Sequence, residues 1–130
     1  MTLVRGEHYQ SDLALFNACD PVIRKPGRYQ RSCQVPQVDR IYLGYGLFNS
    51  TQNGLDSLWK RTQWSLWVDG HPVSLLPFGT STSNRTRPTV FFRNWNVILV
   101  GITLGKHTVR YRARIASLGT IDCTWTVRVF

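Results

Sequence analysis

The side chains best suited to chemistry in this sequence are guanidinium groups and indoles. Arg110, Arg112 and Arg114 alternate with Val109, Tyr111, Ala113 and Ile115. On a strand they would stand in one outward line, about 7 Å apart. Arg128, in the final alternating segment, would extend that line from a neighbouring strand. A row of guanidinium forks suits sulfate, carboxylate or phosphate, each gripped through two N–H donors. The bland alternative is a solvated sheet face whose arginine stems cover apolar surface, with Asp122 as a local partner for Arg114. Trp64 and Trp67 have opposite parity on one strand, so one faces out if the other is buried. An exposed Trp67, or Trp59 nearby, would give a platform on which sugar rings stack. Core packing is the competing explanation for both indoles.

Other chemistry is poorly served. His8, His71 and His107 are far apart, with no His-x-His, Cys-x-x-Cys or His-Glu-x-x-His pattern, so no metal site is expected. One Glu and six Asp are spread along the chain, and no two of them form an evident acid–base pair. Asp69 belongs to a turn and Asp56 suits a first helical turn. No Gly-x-Ser-x-Gly elbow or phosphate-cradling glycine loop is present. The expectation is a protein that is not an enzyme and needs no cofactor.

Three cysteines make an odd count. Cys19 and Cys33 lie in a polar segment with Pro21, Pro26 and Gly27, the kind of stretch a disulfide staples. Closing a loop of about 15 residues would stabilise by roughly 3 kcal/mol. Cys123 alternates in phase with Ile121, Trp125, Val127 and Val129, like a small buried hydrophobe. Spacing does not fix the pairing, and three free thiols stay open. Asn49-Ser50-Thr51 and Asn84-Arg85-Thr86 match the glycosylation acceptor pattern, a triplet that recurs by chance.

At 130 residues the chain suits one domain. Apolar content of 42% is globular, and no apolar run reaches the roughly 20 residues that span a bilayer. Net charge is +9, and 13 of the 16 basic residues are Arg. That balance favours acidic partners or serves solubility alone, since the arginines never form a block. Residues 1–37 read as an irregular N-terminal arm holding at most a short helical turn or an edge strand. Residues 38–130 read as the folded domain. A strand over 41–48 would bury Ile41, Leu43, Tyr45 and Leu47, its glycines marking a bulge or close backbone approach. A short helix over 53–61 would be capped by Thr51 or Ser50. Asp69-Gly70 between alternating apolar residues predicts a hairpin joining 64–68 to 73–76. Residues 79–88 read as a loop, and strands follow at 89–93, 95–100, 108–115 and 121–130. About seven short strands with turn signals between them point to an all-β, antiparallel β-sandwich.

The stretch Leu104-Gly-Lys-His-Thr-Val-Arg-Tyr-Arg-Ala, followed by Thr124-Trp-Thr-Val-Arg-Val, resembles the last two strands of bacterial extracellular immunoglobulin-like or fibronectin-III-like modules. The segment from Ile41 through the Trp64–Leu76 hairpin is similar to their preceding strand, short helix and hairpin. The resemblance covers about 38–130, places Tyr111 where a tyrosine corner would stand, and brings no catalytic residues. It implies an immunoglobulin-like fold and a secreted or cell-surface location, although 1–8 carry no signal-peptide h-region. The functional expectation is a non-catalytic accessory or interaction module contacting a protein or glycan on a cell surface. Two alternatives stand beside it: a carbohydrate-binding module using exposed Trp with nearby Arg, and a binder of anionic polymers such as nucleic acid or acidic polysaccharide. No specific nucleic-acid motif and no membrane insertion are expected, and the chain would be a monomer or a weak homodimer joined at an edge strand.

Overall fold

Period-two alternation over the last third of the chain sets the architecture, because it gives two long neighbouring strands one apolar and one polar face. The computed structural model describes residues 1–9, 12–19 and 25–130. In chain order the first elements are β1 (Thr2–Arg5), β2 (Leu13–Ala14), α1 (Leu15–Ala18), β3 (Gly27–Val35), β4 (Arg40–Tyr42) and β5 (Gly46–Asn49). Helix α2 (Gln52–Lys60) precedes β6 (Thr62–Val68), β7 (His71–Val73) and β8 (Thr80–Arg85). Then come β9 (Val90–Trp95), β10 (Val97–Val100), β11 (Gly105–Ile115) and β12 (Gly119–Val129). A five-stranded sheet runs β3-β12-β11-β6-β7. A four-stranded sheet β1-β10-β4-β2 and a three-stranded sheet β5-β9-β8 complete a sandwich-like all-β fold.

The inward residues of β11 and β12 fulfil the alternation: Val109, Tyr111, Ala113, Ile115, Ile121, Cys123, Trp125, Val127 and Val129 are all buried. Across from them lie Leu3, Ile41, Leu43, Leu47, Leu55, Val97 and Leu99 from the two smaller sheets and α2. Aromatic rings join the layers. Tyr45 meets Trp125, Tyr111 and Trp64 at centroid distances of 5.6, 5.4 and 6.2 Å.

Several expectations need correction. The described residues form twelve strands in three sheets, and two pairings are parallel, β3 with β12 and β2 with β4. The predicted strand 41–48 is broken: β4 and β5 belong to different sheets, with 43–45 between them. Residues 80–85, read as loop, form β8, the polar and mostly exposed edge of the three-stranded sheet. Residues 1–37 are not simply irregular. They supply β1, paired with β10, and the nine-residue edge strand β3, as well as the single turn α1. The Tyr111 hydroxyl is buried without a hydrogen-bond partner, so it makes no tyrosine corner, which requires that hydroxyl to bond backbone. Asp56 sits mid-helix, where its carboxylate accepts from Gln52 at 2.9 Å.

Other local signals hold. Thr51 caps α2, its Oγ1 accepting from the Gly54 amide at 3.0 Å. Asp69 and Gly70 have φ of 50° and 79°, the positive values a tight two-residue hairpin needs. Cys19 and Cys33 form a disulfide and Cys123 is a buried free thiol. Such a bond belongs to oxidising compartments. No helix of the described residues is long and apolar enough to cross a membrane.

The hairpin turn is tied to β11 by a partly buried polar node. The Asp69 carboxylate accepts from the Thr108 amide at 2.8 Å and lies 2.7 Å from His107 Nδ1. His107 Nε2 lies 2.8 Å from the Thr103 carbonyl. The Thr103 hydroxyl lies farther from Nε2, at 3.1 Å, and the doubly protonated imidazolium is the form that satisfies both nearer acceptors. Burial opposes that charge, yet the bonds to Asp69 and Thr103 outweigh it and raise the His107 pKa above 6.5. A raised folded-state pKa contributes stability that is complete below the unfolded value and fades as pH climbs through the folded one. Urea midpoints of the wild type are therefore expected to fall between about pH 6.5 and the region above it. His107→Gln should flatten that decline; an identical pH profile in the variant would refute this role.

Candidate binding face

The outer face of the five-stranded sheet collects the residues that alternate with the core. Three lateral rows are set by register. Arg114 lies between Thr120 and Gln63. In the next row Arg28, Asp122, Arg112 and Ser65 stand side by side on β3, β12, β11 and β6. In the third, Gln30, Thr124, Arg110, Trp67 and Pro72 follow in the same sense. Further along, Ser32, Thr126 and Thr108 form an uncharged row, and Gln34, Arg128 and Lys106 a second basic one. Six cations, Arg28, Lys106, Arg110, Arg112, Arg114 and Arg128, thus share a sheet face with Asp122 between them.

Asp122 organises the first pole. Arg110 grips it with both prongs, Nε to Oδ1 at 2.9 Å and Nη2 to Oδ2 at 2.6 Å. That hydrogen-bonded pair holds the Asp122 carboxyl below its usual range against the opposing effect of burial, helped by the charges of Arg110, Arg28 and Arg112. The predicted Asp122–Arg114 contact is not made, because the register puts Arg114 opposite Thr120. One carboxylate faces three guanidinium groups here, so the pole keeps a positive surplus that an incoming anion would meet.

Trp67 does face outward, opposite in parity to inward Trp64. Its ring is not a bare platform. The Arg110 and Arg112 guanidinium carbons stand 4.6 and 5.1 Å from its centroid. Such stacking fixes the two forks in place rather than leaving the indole for a sugar. Trp59 stands on α2 rather than on the sheet, and it lines a groove together with Trp67. It packs with Trp64 and Trp95 at 5.1 and 5.4 Å, and the Arg93 guanidinium stands 4.5 Å from its ring. A groove of about 550 Å³ runs beside the β6–β7 hairpin, lined by Trp59, Trp64, Trp67, Trp95 and Leu75 among others. The structure therefore brings Trp67, Arg110, Arg112, Arg114 and Arg128 together on one face, and Trp59 meets that set only through the groove it shares with Trp67.

Arg28 and Lys106 escaped the sequence reading. Lys106 was within reach, since it continues the parity of Arg110 backward along β11. Arg28 was not, because the parallel pairing of β3 with β12 has no turn between them to announce it. Among the described residues no group of three or more His, Cys, Asp or Glu side chains is placed to hold a metal ion.

No family model and no curated protein matches the chain. A solved structure of PbICP-C in complex with falcipain-2 is similar, with a TM-score of 0.48 and 10% identity over 92% of this chain and 98% of that chain. A likeness of that degree carries no argument about partner or activity.

Proposed function

We propose that this chain is a non-catalytic binding module of the secreted, immunoglobulin-like kind, presenting the basic outer face of its five-stranded sheet to an anionic polymer. The observation that carries the reading is the composition of that face, where register gathers six cations to one acid among the described residues of β3, β11 and β12. Guanidinium groups pre-set by Trp67 and Asp122 lose little freedom when they meet an anion. The disulfide supports an extracytoplasmic setting. The glycan-stacking reading is weaker, because both candidate indoles are already engaged by arginines.

The test is retention on immobilised dextran sulfate. The wild type should bind at low salt and elute as salt rises. Arg28→Glu/Arg114→Glu alters two exposed residues and leaves the Arg110–Asp122 pair intact. It should weaken binding roughly 30-fold, at about 1 kcal/mol per basic residue near an anionic surface. Unchanged retention in the folded variant would sink the proposal.

A further inference from the structure

The cations of this face are not evenly spread. Arg28, Arg110, Arg112 and Arg114 form one pole around Asp122, and Lys106 with Arg128 forms another. At about 3.3 Å per residue, Arg128 lies about 20 Å beyond Asp122 on β12, and Lys106 lies about 13 Å from Arg110 on β11, the gap between the two poles. Between them lies a row of neutral hydrogen-bonding side chains, Ser32, Thr126 and Thr108, and the neutral Gln30 and Thr124 stand beside Arg110 in the row before it. A shallow depression of about 390 Å³ marks the far pole, lined by Ser32, Gln34, Lys106, Thr126 and Arg128 among others.

We propose that the ligand of this face is an acidic polysaccharide lying along β12, its anionic groups on the two poles and its hydroxyls on the neutral side chains between and beside them. This rests on the reading of the face as a polyanion site. Hydroxyl and amide side chains donate and accept, and so match sugar hydroxyls, which also do both. A nucleic acid fits less well. Its charges recur every ~3.4 Å along each strand, so it would place phosphates over the Ser32–Thr126–Thr108 row, which holds no cation among the described residues. Single strands bind through bases stacked on open aromatic rings, and the one indole on this face is flanked by Arg110 and Arg112. The Cys19–Cys33 disulfide points the same way, to a compartment where glycans are the common polyanions.

The experiment compares fluorescently labelled heparin oligosaccharides of increasing length, inorganic polyphosphate and duplex DNA at one salt concentration. Two variants are used, the belt variant Thr124→Val/Thr126→Val, which removes two of these neutral hydroxyls while keeping strand-favouring residues, and Lys106→Glu/Arg128→Glu. Heparin affinity should rise with length until both poles are bridged and then level off. The belt variant should weaken long heparin chains about 30-fold, the worth of two ordinary hydrogen bonds, and leave polyphosphate binding unchanged. The Lys106/Arg128 variant should weaken long chains and spare the shortest. Equal losses for heparin and polyphosphate in the belt variant, no loss for either, or tighter binding of DNA than of heparin would overturn the polysaccharide inference while leaving the polyanion face standing. Failure of every probe to bind would remove both.

Discussion

Trp125→Ala is expected to lower the unfolding free energy by about 3–5 kcal/mol, the range for deleting a large buried ring. Trp125 is 3% exposed and stands at the meeting point of the layers, its ring 5.6 Å from that of Tyr45. Its indole N–H is buried without a hydrogen-bond partner, so truncation removes packing and breaks no polar contact. The neighbours are held in long paired strands on both sides, β11 by β6 and β12, which limits how far the space can collapse. Against the 5–15 kcal/mol that holds a typical domain folded, the loss is severe. Urea unfolding measures it, and a change under about 1.5 kcal/mol, the scale of a tolerated volume-conserving swap, would contradict the assignment of Trp125 to a shared core.

Gly46→Ala is expected to destabilise by about 3 kcal/mol, the upper part of the range for forcing atoms into occupied space. A Cβ at Gly46 would fall against the carbonyl of Arg93 and the side chain of Asn94. The obstacle is backbone of the partner strand, opposite Gly46 in the β5–β9 ladder. No rotamer change relieves it, so the pairing itself must open. Gly70→Ala makes the comparison. A Cβ there meets nothing within 4 Å and only the positive φ of 79° resists it, at about 1–2 kcal/mol. Thermal unfolding of the two variants should rank Gly46→Ala clearly below Gly70→Ala. The reverse order would mean that β5 does not pair as described.

The parts of this fold that were legible share one property: neighbouring strands joined by a short turn. The long alternating runs of β11 and β12 and the Asp69-Gly70 hairpin carry their pairing in local sequence. The parts that were missed depend on distant partners. Strand β3 alternates Tyr29, Arg31, Cys33 and Val35, but Arg31 breaks the apolar pattern and the parallel partner β12 lies far along the chain. Strand β8 is an exposed edge with no apolar face to bury, so Ser, Thr and Asn gave it the look of a loop. The break after β4 follows from tight backbone near Gly44 and Gly46, where a side chain on either glycine would strike Tyr42 or Arg93. For the binding face, parity put Arg110, Arg112, Arg114 and Arg128 on one side of their strands, as the register has them, and left open which of Trp64 and Trp67 faces out. It was silent on Arg28, and it paired Asp122 with Arg114 where the structure gives the carboxylate to Arg110.

Backbone-amide chemical-shift mapping by NMR during a titration with dextran sulfate addresses the binding face most directly. The largest changes should fall on β3, β11 and β12, centred on Arg28, Arg112 and Thr124, and should fade as salt is raised. If they gather instead at the tryptophan-lined groove beside the β6–β7 hairpin, or on the β8–β9 edge, the basic sheet face is not where this protein meets its ligand.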